Sequence, residues 1–258
     1  MNKSALHSSH ARVAALLTGR GNNTLPDKNI RHVDGRPLLA YPCMAAARSV
    51  HIDHFYVSSD DEKILAEAAV YGYRKIVRPN ALAAPDAQHV DTLLHALDVM
   101  RERDQYEPDL LVIMLANNAC IKTTWIDQCI EMLLADSTLS AITPANQDSD
   151  HHPYRAKRIN SENLFEPFFD FYGKDISTNR QDLDPSYFLC HNFWVLRVEA
   201  SLHAQEEGQQ PWSFMGNRIA PLIVAPHCFD VHSEDDLFLT ERWLNRHGDA
   251  GVCNNKHV

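Results

Sequence analysis

With 258 residues, 45% of them hydrophobic and only 9 of them glycine, the chain can bury a substantial core and is predicted to form a single domain over residues 1–258. Its formal net charge of −10 at pH 7 leaves no basic surplus to displace counterions from nucleic acid, so no nucleic-acid partner is expected. No apolar run approaches the ~18 residues of a membrane span and no signal-peptide pattern is present, which predicts a cytoplasmic protein with no membrane partner.

Strand-length apolar runs alternate with helical periodicity through the first half of the chain. The predicted strands cover residues 13–17, 54–58, 75–77, 110–115 and 139–144, and the predicted helices 37–49, 61–71, 89–103 and 123–134. This alternation favours an α/β fold with a Rossmann-like, mostly parallel sheet and helices on both faces. Ligands of such sheets bind beyond the carboxyl ends of the strands, where the loops at 18–29, 58–61 and 115–120 should converge.

The loop after the first strand is the most informative segment. It reads TGRGNNTLPDKN over residues 18–29 and combines two glycines with Arg20 and Lys28. Small residues let backbone N–H groups approach phosphate oxygens, and the two cations can neutralise them. The GxxxxGK[ST] and GxGxxG spacings are absent, so neither a P-loop ATPase nor a dinucleotide-dependent dehydrogenase is indicated. From spacing alone, phosphate binding and an ordinary polar connection both stay open.

The alternation stops between residues 146 and 185. A short strand is predicted at 156–159, and an aromatic run follows it, made of Phe165, Phe168, Phe169, Phe171 and Tyr172. So many rings in a polar segment should pack against something, either another subunit or the chain's own sheet.

Regular structure resumes in the last third of the chain. Strands are predicted at 193–198 and 222–225, and a closing helix at 233–246 with Ser233 as its N-cap. The cysteines lie mostly in apolar segments without metal-ligand spacing, which favours buried free thiols over zinc ligands or disulfides. They are Cys43, Cys120, Cys129, Cys190, Cys228 and Cys253.

Several segments, in order along the chain, carry a family resemblance. They are the first loop with GRPLL at 35–39, VSSDDEKI at 57–64, RPNALA at 78–83, DTLLHAL at 91–97, NRQDL at 179–183 with Tyr187, and FDVHSEDDL at 229–237. Together they resemble the CMP-sialic acid synthetase, or acylneuraminate cytidylyltransferase, family, whose signatures include VSTDDEEI, RPxxLA, RRQDLPxxY and IDIDTxxDL. The matches span about residues 12–245. They imply a nucleotide-diphospho-sugar transferase-like fold and CTP-dependent cytidylyl transfer.

The resemblance also implies roles for individual residues. Arg20 and Lys28 match family cations that grip the β- and γ-phosphates, and Asp230 matches an aspartate that binds Mg²⁺, so these three are the predicted catalytic residues and Asp230 the predicted metal ligand. The predicted nucleotide-binding residues are Thr18, Gly19, Arg20, Gly21, Asn22, Lys28, Asn29, Arg78, Ala87 and His89. The last three fall where the family holds cytosine, and donors and acceptors placed there would distinguish CTP from UTP.

The acceptor side resembles the family less closely. The second metal-binding aspartate of the motif is His232 here, an additional loop lysine is Asn23 or Thr24, and the glutamine that touches the sugar is missing from residues 114–122. The predicted substrate-binding residues are Asn117, Asn118, His152, Arg155, Arg180, His191 and His232. The basic residues among them suit an acidic acceptor, or they balance the nearby Asp148 and Asp150.

The sequence therefore predicts an enzyme that transfers CMP from CTP to a small acidic acceptor and releases pyrophosphate. The first candidate acceptor is a sialic-acid-like (nonulosonic) or Kdo-like sugar acid. A phosphonate cytidylyltransferase, a catalytically silent CTP- or CMP-binding relative and a metal- or protein-binding module without CTP affinity remain alternatives. The resemblance further implies Mg²⁺ as cofactor and a homodimer, with the insertion at about 146–185 in its interface.

Overall fold

The structure is a computed structural model, and it describes residues 11–21 and 25–249. The predictions made for Asn22, Asn23, Thr24 and Cys253 lie outside the described residues. Five cysteines lie within them and all five are free, as predicted, with only Cys228 partly exposed.

Twelve strands and five α-helices are present among the described residues. The strands are β1 Val13–Thr18, β2 His32–Val33, β3 Arg36–Pro37, β4 His54–Ser59, β5 Arg74–Val77, β6 Leu110–Leu115, β7 Ala141–Gln147, β8 Lys157–Ile159, β9 Phe165–Pro167, β10 Tyr187–Leu189, β11 Phe193–Arg197 and β12 Ile219–Ile223. The helices are α1 Ala40–Ala47, α2 Glu62–Val70, α3 His89–Asp104, α4 Thr123–Ala135 and α5 Glu234–His247. Each of these helices is too short or too polar to cross a lipid bilayer.

The main sheet is parallel at its centre and mixed at one side. β1 pairs in parallel with β4 and β6, and β4 pairs in parallel with β5. β11 then runs antiparallel to β6 and β7, β10 runs antiparallel to the end of β7, and β12 pairs in parallel with β7. The prediction of a Rossmann-like, mostly parallel sheet is confirmed.

Apolar side chains cover both faces of this sheet, as its near-continuous apolar strands require. Alternate residues of β1 point to opposite sides, so Leu17 joins a cluster with α1, α2 and α4, whereas Leu16 joins a second cluster with α3. All six residues of β1 are buried. Burying a leucine side chain contributes about 1.5–3 kcal/mol, so these clusters hold the sheet edge that carries the loops.

The carboxyl ends of the three central strands meet at one edge. Thr18 at the end of β1 is level with Ser58 of β4 on one side and with Leu115 of β6 on the other. The loops that follow β1, β4 and β6 therefore converge, as the sequence predicts.

The segment between β7 and β10 extends outside the main sheet. β8 and β9 pair only with each other, in antiparallel fashion. Most of the aromatic run is exposed: Phe165 is 78% and Tyr172 is 87% accessible, and Phe168 and Phe169 are also exposed. Of the two arrangements considered for these rings, packing on the chain's own sheet is therefore wrong for most of them. Phe171 is partly buried, and its ring lies 5.6 Å from that of Tyr154, which is in the turn before β8.

Candidate functional site

A cleft of about 280 Å³ opens at the carboxyl edge of the sheet. Nine of its lining residues were predicted from the sequence: Thr18, Gly19, Arg20, Lys28, Asn29, Arg78, Ala87, His89 and Asn117. Five others were not predicted: Leu82, Ala84, Thr92, Leu115 and Trp194. The structure thus brings most of the predicted nucleotide-binding residues to one place.

The two glycines of the first loop are needed for close packing. Gly19 N–H donates to the carbonyl of Ser58 at 3.3 Å, and Gly21 N–H donates to Asp60 Oδ1 at 3.0 Å. A Cβ atom on Gly21 would lie 2.8 Å from Asp61 Oδ2, so a larger residue would push the loop away from α2. These two backbone N–H groups therefore bond within the protein, whereas the sequence predicted that backbone donors of this loop would approach phosphate.

Three cations gather around the cleft. Lys28 Nζ donates to the carbonyl of Val231 at 3.2 Å, and its pKa is lowered by burial and by the nearby Arg20 against the opposing charge of Asp230. Arg78 is only 6% exposed, and burial lowers its pKa to about 10, with a further contribution from Arg20. A bound polyanion would stabilise the charged forms of Lys28 and Arg78 against the effect of burial.

Arg78 is held in place by hydrogen bonds to Ser58, at the end of β4. Its Nη2 atom donates to the backbone carbonyl of Ser58 at 2.7 Å, and its Nε atom donates to Ser58 Oγ at 3.3 Å. The guanidinium is therefore positioned by the end of β4 before any ligand arrives.

His89 is the first residue of α3 and contributes a neutral imidazole. Its Nε2 atom is 3.2 Å from Thr18 Oγ1, and its ring lies 5.7 Å from that of Trp194 and 6.1 Å from that of Phe214. Burial, reinforced by the charge of Arg78, lowers the pKa of His89 to about 4. A neutral imidazole offers one donor and one acceptor, which suits recognition of an uncharged heterocycle.

Asp230 reaches the same edge from the end of the chain. Asn118 Nδ2 donates to Asp230 Oδ1 at 2.8 Å, and His232 Nε2 lies 3.9 Å from Asp230 Oδ2. Burial raises the pKa of Asp230, whereas the bond from Asn118 and the charges of His191, His232 and Lys28 oppose that rise. The predicted loop cations and the predicted late carboxylate are therefore neighbours.

Asp230 is a single carboxylate and not part of a preformed metal centre. No group of three or more His, Cys, Asp or Glu side chains suited to a metal ion occurs among residues 11–21 and 25–249. Mg²⁺ is commonly held by one or two carboxylates together with substrate phosphates and water. The donor set at Asp230 fits that kind of site.

His191 adjoins this part of the cleft from the break between β10 and β11. It adopts a left-handed backbone conformation with φ of 47°, which is uncommon for a residue with a side chain. Its ring lies 6.1 Å from that of Trp194 and 5.2 Å from that of Trp212. The bend thus turns the imidazole toward the aromatic side of the cleft.

Three of the predicted substrate-binding residues lie elsewhere. Arg180 Nη1 donates to Asp150 Oδ1 at 2.7 Å, and Arg155 Nη1 is 3.8 Å from the same oxygen. His152 is buried and accepts a hydrogen bond from the backbone N–H of Tyr154. Arg180 lines a separate polar cavity of about 580 Å³. These arginines therefore balance Asp150 in the structure and do not line the first cleft.

No sequence pattern predicted that Trp194 would line the cleft. The residue lies in an apolar strand-length run, and that pattern predicts only a core strand. Its position follows from the antiparallel pairing of β11 with β6, which sets Trp194 level with Ile113 near the carboxyl end of β6.

The sequence is similar to those of known cytidylyltransferases. A family model described as cytidylyltransferase matches residues 18–179, which is more than half of the chain. CMP-N,N'-diacetyllegionaminic acid synthase of Legionella pneumophila subsp. pneumophila is 29% identical over 247 residues, covering 93% of this chain and 100% of that protein. Pseudaminic acid cytidylyltransferase of Campylobacter jejuni subsp. jejuni is 26% identical over 168 residues, covering 65% of this chain and 70% of that protein. The chain spans less than half of the length of some other curated relatives that it matches.

Among solved structures, CMP:2-keto-3-deoxy-manno-octonic acid synthetase complexed with CTP is similar to the chain. The TM-score is 0.67 at 14% sequence identity, and the alignment covers 92% of this chain and 99% of the other. At that identity the likeness concerns the fold.

Proposed function

Because the chain belongs to the cytidylyltransferase family, we propose that it transfers the CMP group of CTP to a nonulosonic or Kdo-like sugar acid and releases pyrophosphate. The observation that carries the proposal is the composition of the cleft. Arg20, Lys28 and Arg78 stand around it with Asp230 beside Lys28, and the rest of the lining mixes apolar and aromatic side chains, Trp194 among them, with uncharged polar ones such as Asn29 and Asn117. A polyphosphate and a flat heterocycle together require this combination. The choice of acceptor is supported by the names of the relatives, which act on legionaminic and pseudaminic acids.

The reaction is an in-line displacement at the α-phosphorus. An acceptor hydroxyl oxygen gives up its proton to the solvent and forms the new bond to phosphorus, while the bond from phosphorus to the bridging oxygen breaks, so pyrophosphate leaves with that electron pair. We assign Arg20 and Lys28 to the β- and γ-phosphates, where they neutralise the charge that develops on the leaving group. Lys28 is already fixed to the carbonyl of Val231, so it needs little reorganisation.

We assign the cytosine base to Arg78, His89 and the backbone near Ala87. Arg78 is oriented by Ser58, and His89 is neutral, so both can make directed hydrogen bonds without placing a mobile charge against the base. Such directed donors and acceptors reject a base of the wrong polarity, because a mispaired buried group costs about 1–3 kcal/mol.

We propose Mg²⁺ as cofactor, with Asp230 as its ligand from the protein. Asn118 holds the carboxylate at the edge of the cleft, and triphosphate oxygens would complete the ion's oxygen shell. When bound, the ion would supply positive charge to the phosphates. His232, where the family motif has a second aspartate, is assigned to the acceptor because Mg²⁺ prefers oxygen ligands.

We place the acceptor at the Asp230 end of the cleft. Asn117 lines the cleft, and Asn118 and His232 contact Asp230. His191 is close enough for its charge to lower the pKa of Asp230. These four residues therefore form the proposed acceptor site. The assignments of His152, Arg155 and Arg180 stay predictions.

We also propose that the chain forms a homodimer through the insertion at about 146–185. The exposed rings of this segment, which include Phe165, Phe168, Phe169 and Tyr172, make an apolar surface on a hairpin that projects from the main sheet. An apolar surface of this kind is unfavourable in water and suits a second copy of the same segment.

Pyrophosphate release tests the proposed reaction. The protein would be incubated with CTP, Mg²⁺ and a panel of nonulosonic acids, Kdo-like acids and aminoalkylphosphonates. We expect turnover with a sugar acid, and a loss of at least about 100-fold in kcat/KM for Arg20→Ala because a phosphate-neutralising charge is removed. Arg242→Ala, at an exposed position on α5, is the matched control.

The other outcomes separate the alternatives. Turnover confined to phosphonates would replace the sugar acid as acceptor. Stabilisation by CTP without any turnover would indicate a silent relative, since a ligand at 100-fold its Kd adds about 2.7 kcal/mol. The absence of any CTP-dependent change in Tm would overturn the proposal as a whole.

A further inference from the structure

Trp194 presents a buried donor at the inner wall of the cleft. The residue is 3% exposed and lines the cleft from β11, and its indole N–H is buried without a hydrogen-bond partner. A buried donor left unpaired is costly, so native proteins keep few of them. Such a donor can be explained by a ligand that accepts its hydrogen bond when it binds.

Several other polar side chains of the cleft, unlike Trp194, have a hydrogen-bond partner within the protein. Each of the following donates to a backbone carbonyl: Thr18 to Met114, Lys28 to Val231, Asn29 to Arg20, Arg78 to Ser58, Thr92 to Leu82 and Asn117 to Val231. Among the cleft-lining residues that the structure describes, the indole N–H of Trp194 is the side-chain donor that is both buried and without a partner.

The position of Trp194 indicates which part of a nucleotide it meets. Its ring packs 5.7 Å from His89 and 5.6 Å from Phe214, in the aromatic part of the cleft, and Leu115 lies on the same lining. A triphosphate belongs with the cations Arg20 and Lys28, so the uncharged base belongs at the aromatic end. Cytosine carries two acceptors, O2 and N3, along one edge.

We propose that Trp194 is a further nucleotide-binding residue, whose indole N–H donates a hydrogen bond to the acceptor edge of the cytosine base. The proposal rests on the proposed function, because it assigns a contact within the CTP site. Trp194 and His89 then form one wall that holds the base, and Trp194 adds a donor to those that Arg78 and His89 offer.

Substitution by phenylalanine tests the contact. Trp194→Phe keeps an aromatic ring and removes only the N–H and part of the ring, so we expect the Kd for CTP to rise about 2- to 12-fold, the range of one hydrogen bond. The Kd for inorganic tripolyphosphate, measured by calorimetric titration in the same buffer, should not change.

Trp243→Phe is the matched control. Trp243 is 4% exposed and also has a buried indole N–H without a partner, but it packs against Trp125 and does not line the cleft. Its substitution should leave the Kd for CTP unchanged. A loss equal to that of Trp194→Phe would mean that general destabilisation is the cause and would overturn the proposal.

A measurement on the unmodified protein does not depend on the folding of any variant. The chain has 4 tryptophans, so ¹⁵N-tryptophan labelling gives four indole resonances, which single substitutions assign. CTP should move the Trp194 indole proton downfield and leave that of Trp243 in place. A Trp194 resonance that stays in place at saturating CTP, or an unchanged Kd in Trp194→Phe, would overturn the inference while leaving the proposed function intact. Failure of the wild type to bind CTP would overturn both.

Discussion

At the residue scale, the burial of His89 links the nucleotide cleft to the stability of the fold. Its pKa of about 4 is below the ordinary histidine value of about 6.5. As the pH falls through this interval, the unfolded chain takes up a proton that the folded chain refuses. The stability due to the neutral histidine is therefore present above about pH 6.5 and is lost toward pH 4.

His89→Gln should remove this pH dependence, because glutamine cannot be protonated. We expect the free energy of unfolding of the wild type to fall between pH 7 and pH 5 by about 2 kcal/mol more than that of the variant. Urea denaturation at the two pH values measures the difference. His32→Gln, at an exposed position, should behave like the wild type, and a His89→Gln curve parallel to the wild type would show that His89 is not held neutral.

At the element scale, the start of α5 positions the residues that complete the site. Ser233 caps the helix through its hydroxyl, and the carboxylate of Asp236 accepts the backbone N–H groups of both Ser233 and His232. This capping box fixes the chain immediately after Asp230 and Val231, to which Lys28 donates. The helix cap thus supports the contact between the two halves of the proposed phosphate site.

Ser233→Ala should weaken that support. The loss of an N-cap hydroxyl costs about 0.5–2 kcal/mol, so we expect a drop of that size in the free energy of unfolding together with a higher KM for CTP. Equilibrium denaturation and steady-state kinetics measure the two effects. Ser233→Thr retains the hydroxyl and should stay within about 0.5 kcal/mol of the wild type. Equal losses in both variants would exclude the cap as the cause.

The longer helices and strands are the elements that the sequence predicts best. The helix predicted at 123–134 is α4, Thr123–Ala135, and the strand predicted at 110–115 is β6, because long apolar patterns determine such elements locally. β9 and β10 were not predicted, since each has only three residues, and β10 also depends on pairing with β7, which is distant in sequence. The predicted Ser233 cap is confirmed, because capping depends on adjacent residues.

The residues of the site likewise fall into those that sequence motifs predicted and those that depend on tertiary structure. Motifs located the loop cations, Arg78 and Asp230, and the fold brings them together. The place of Trp194 in the cleft was not predicted, and the sequence left open whether Arg180 balances Asp150 or binds the acceptor, because both depend on how β11 and the 146–185 segment lie in three dimensions. Local patterns thus identify chemistry, whereas tertiary pairing decides which residues share a cavity.

At the scale of the whole molecule, the chain carries a net charge of −10 yet concentrates cations at one cleft. Its other distinctive surface is apolar and lies on the hairpin of β8 and β9 and the residues after it. Charge keeps most of the surface solvated, so the segment where exposed aromatic rings are concentrated is the part of the surface best suited to self-association.

The double variant Phe165→Ser/Phe169→Ser should separate the proposed dimer. Each buried phenylalanine contributes about 1.5–3 kcal/mol and a two-fold interface loses two rings from each copy, so we expect at least about a 100-fold weaker association. Light scattering across a concentration series should then give the mass of one chain where the wild type gives that of two. Phe238→Ser removes a ring that is 66% exposed on α5, outside the insertion, and should leave the dimer intact. A wild type with the mass of one chain at all concentrations would contradict the homodimer, and dissociation by Phe238→Ser alone would move the interface to α5.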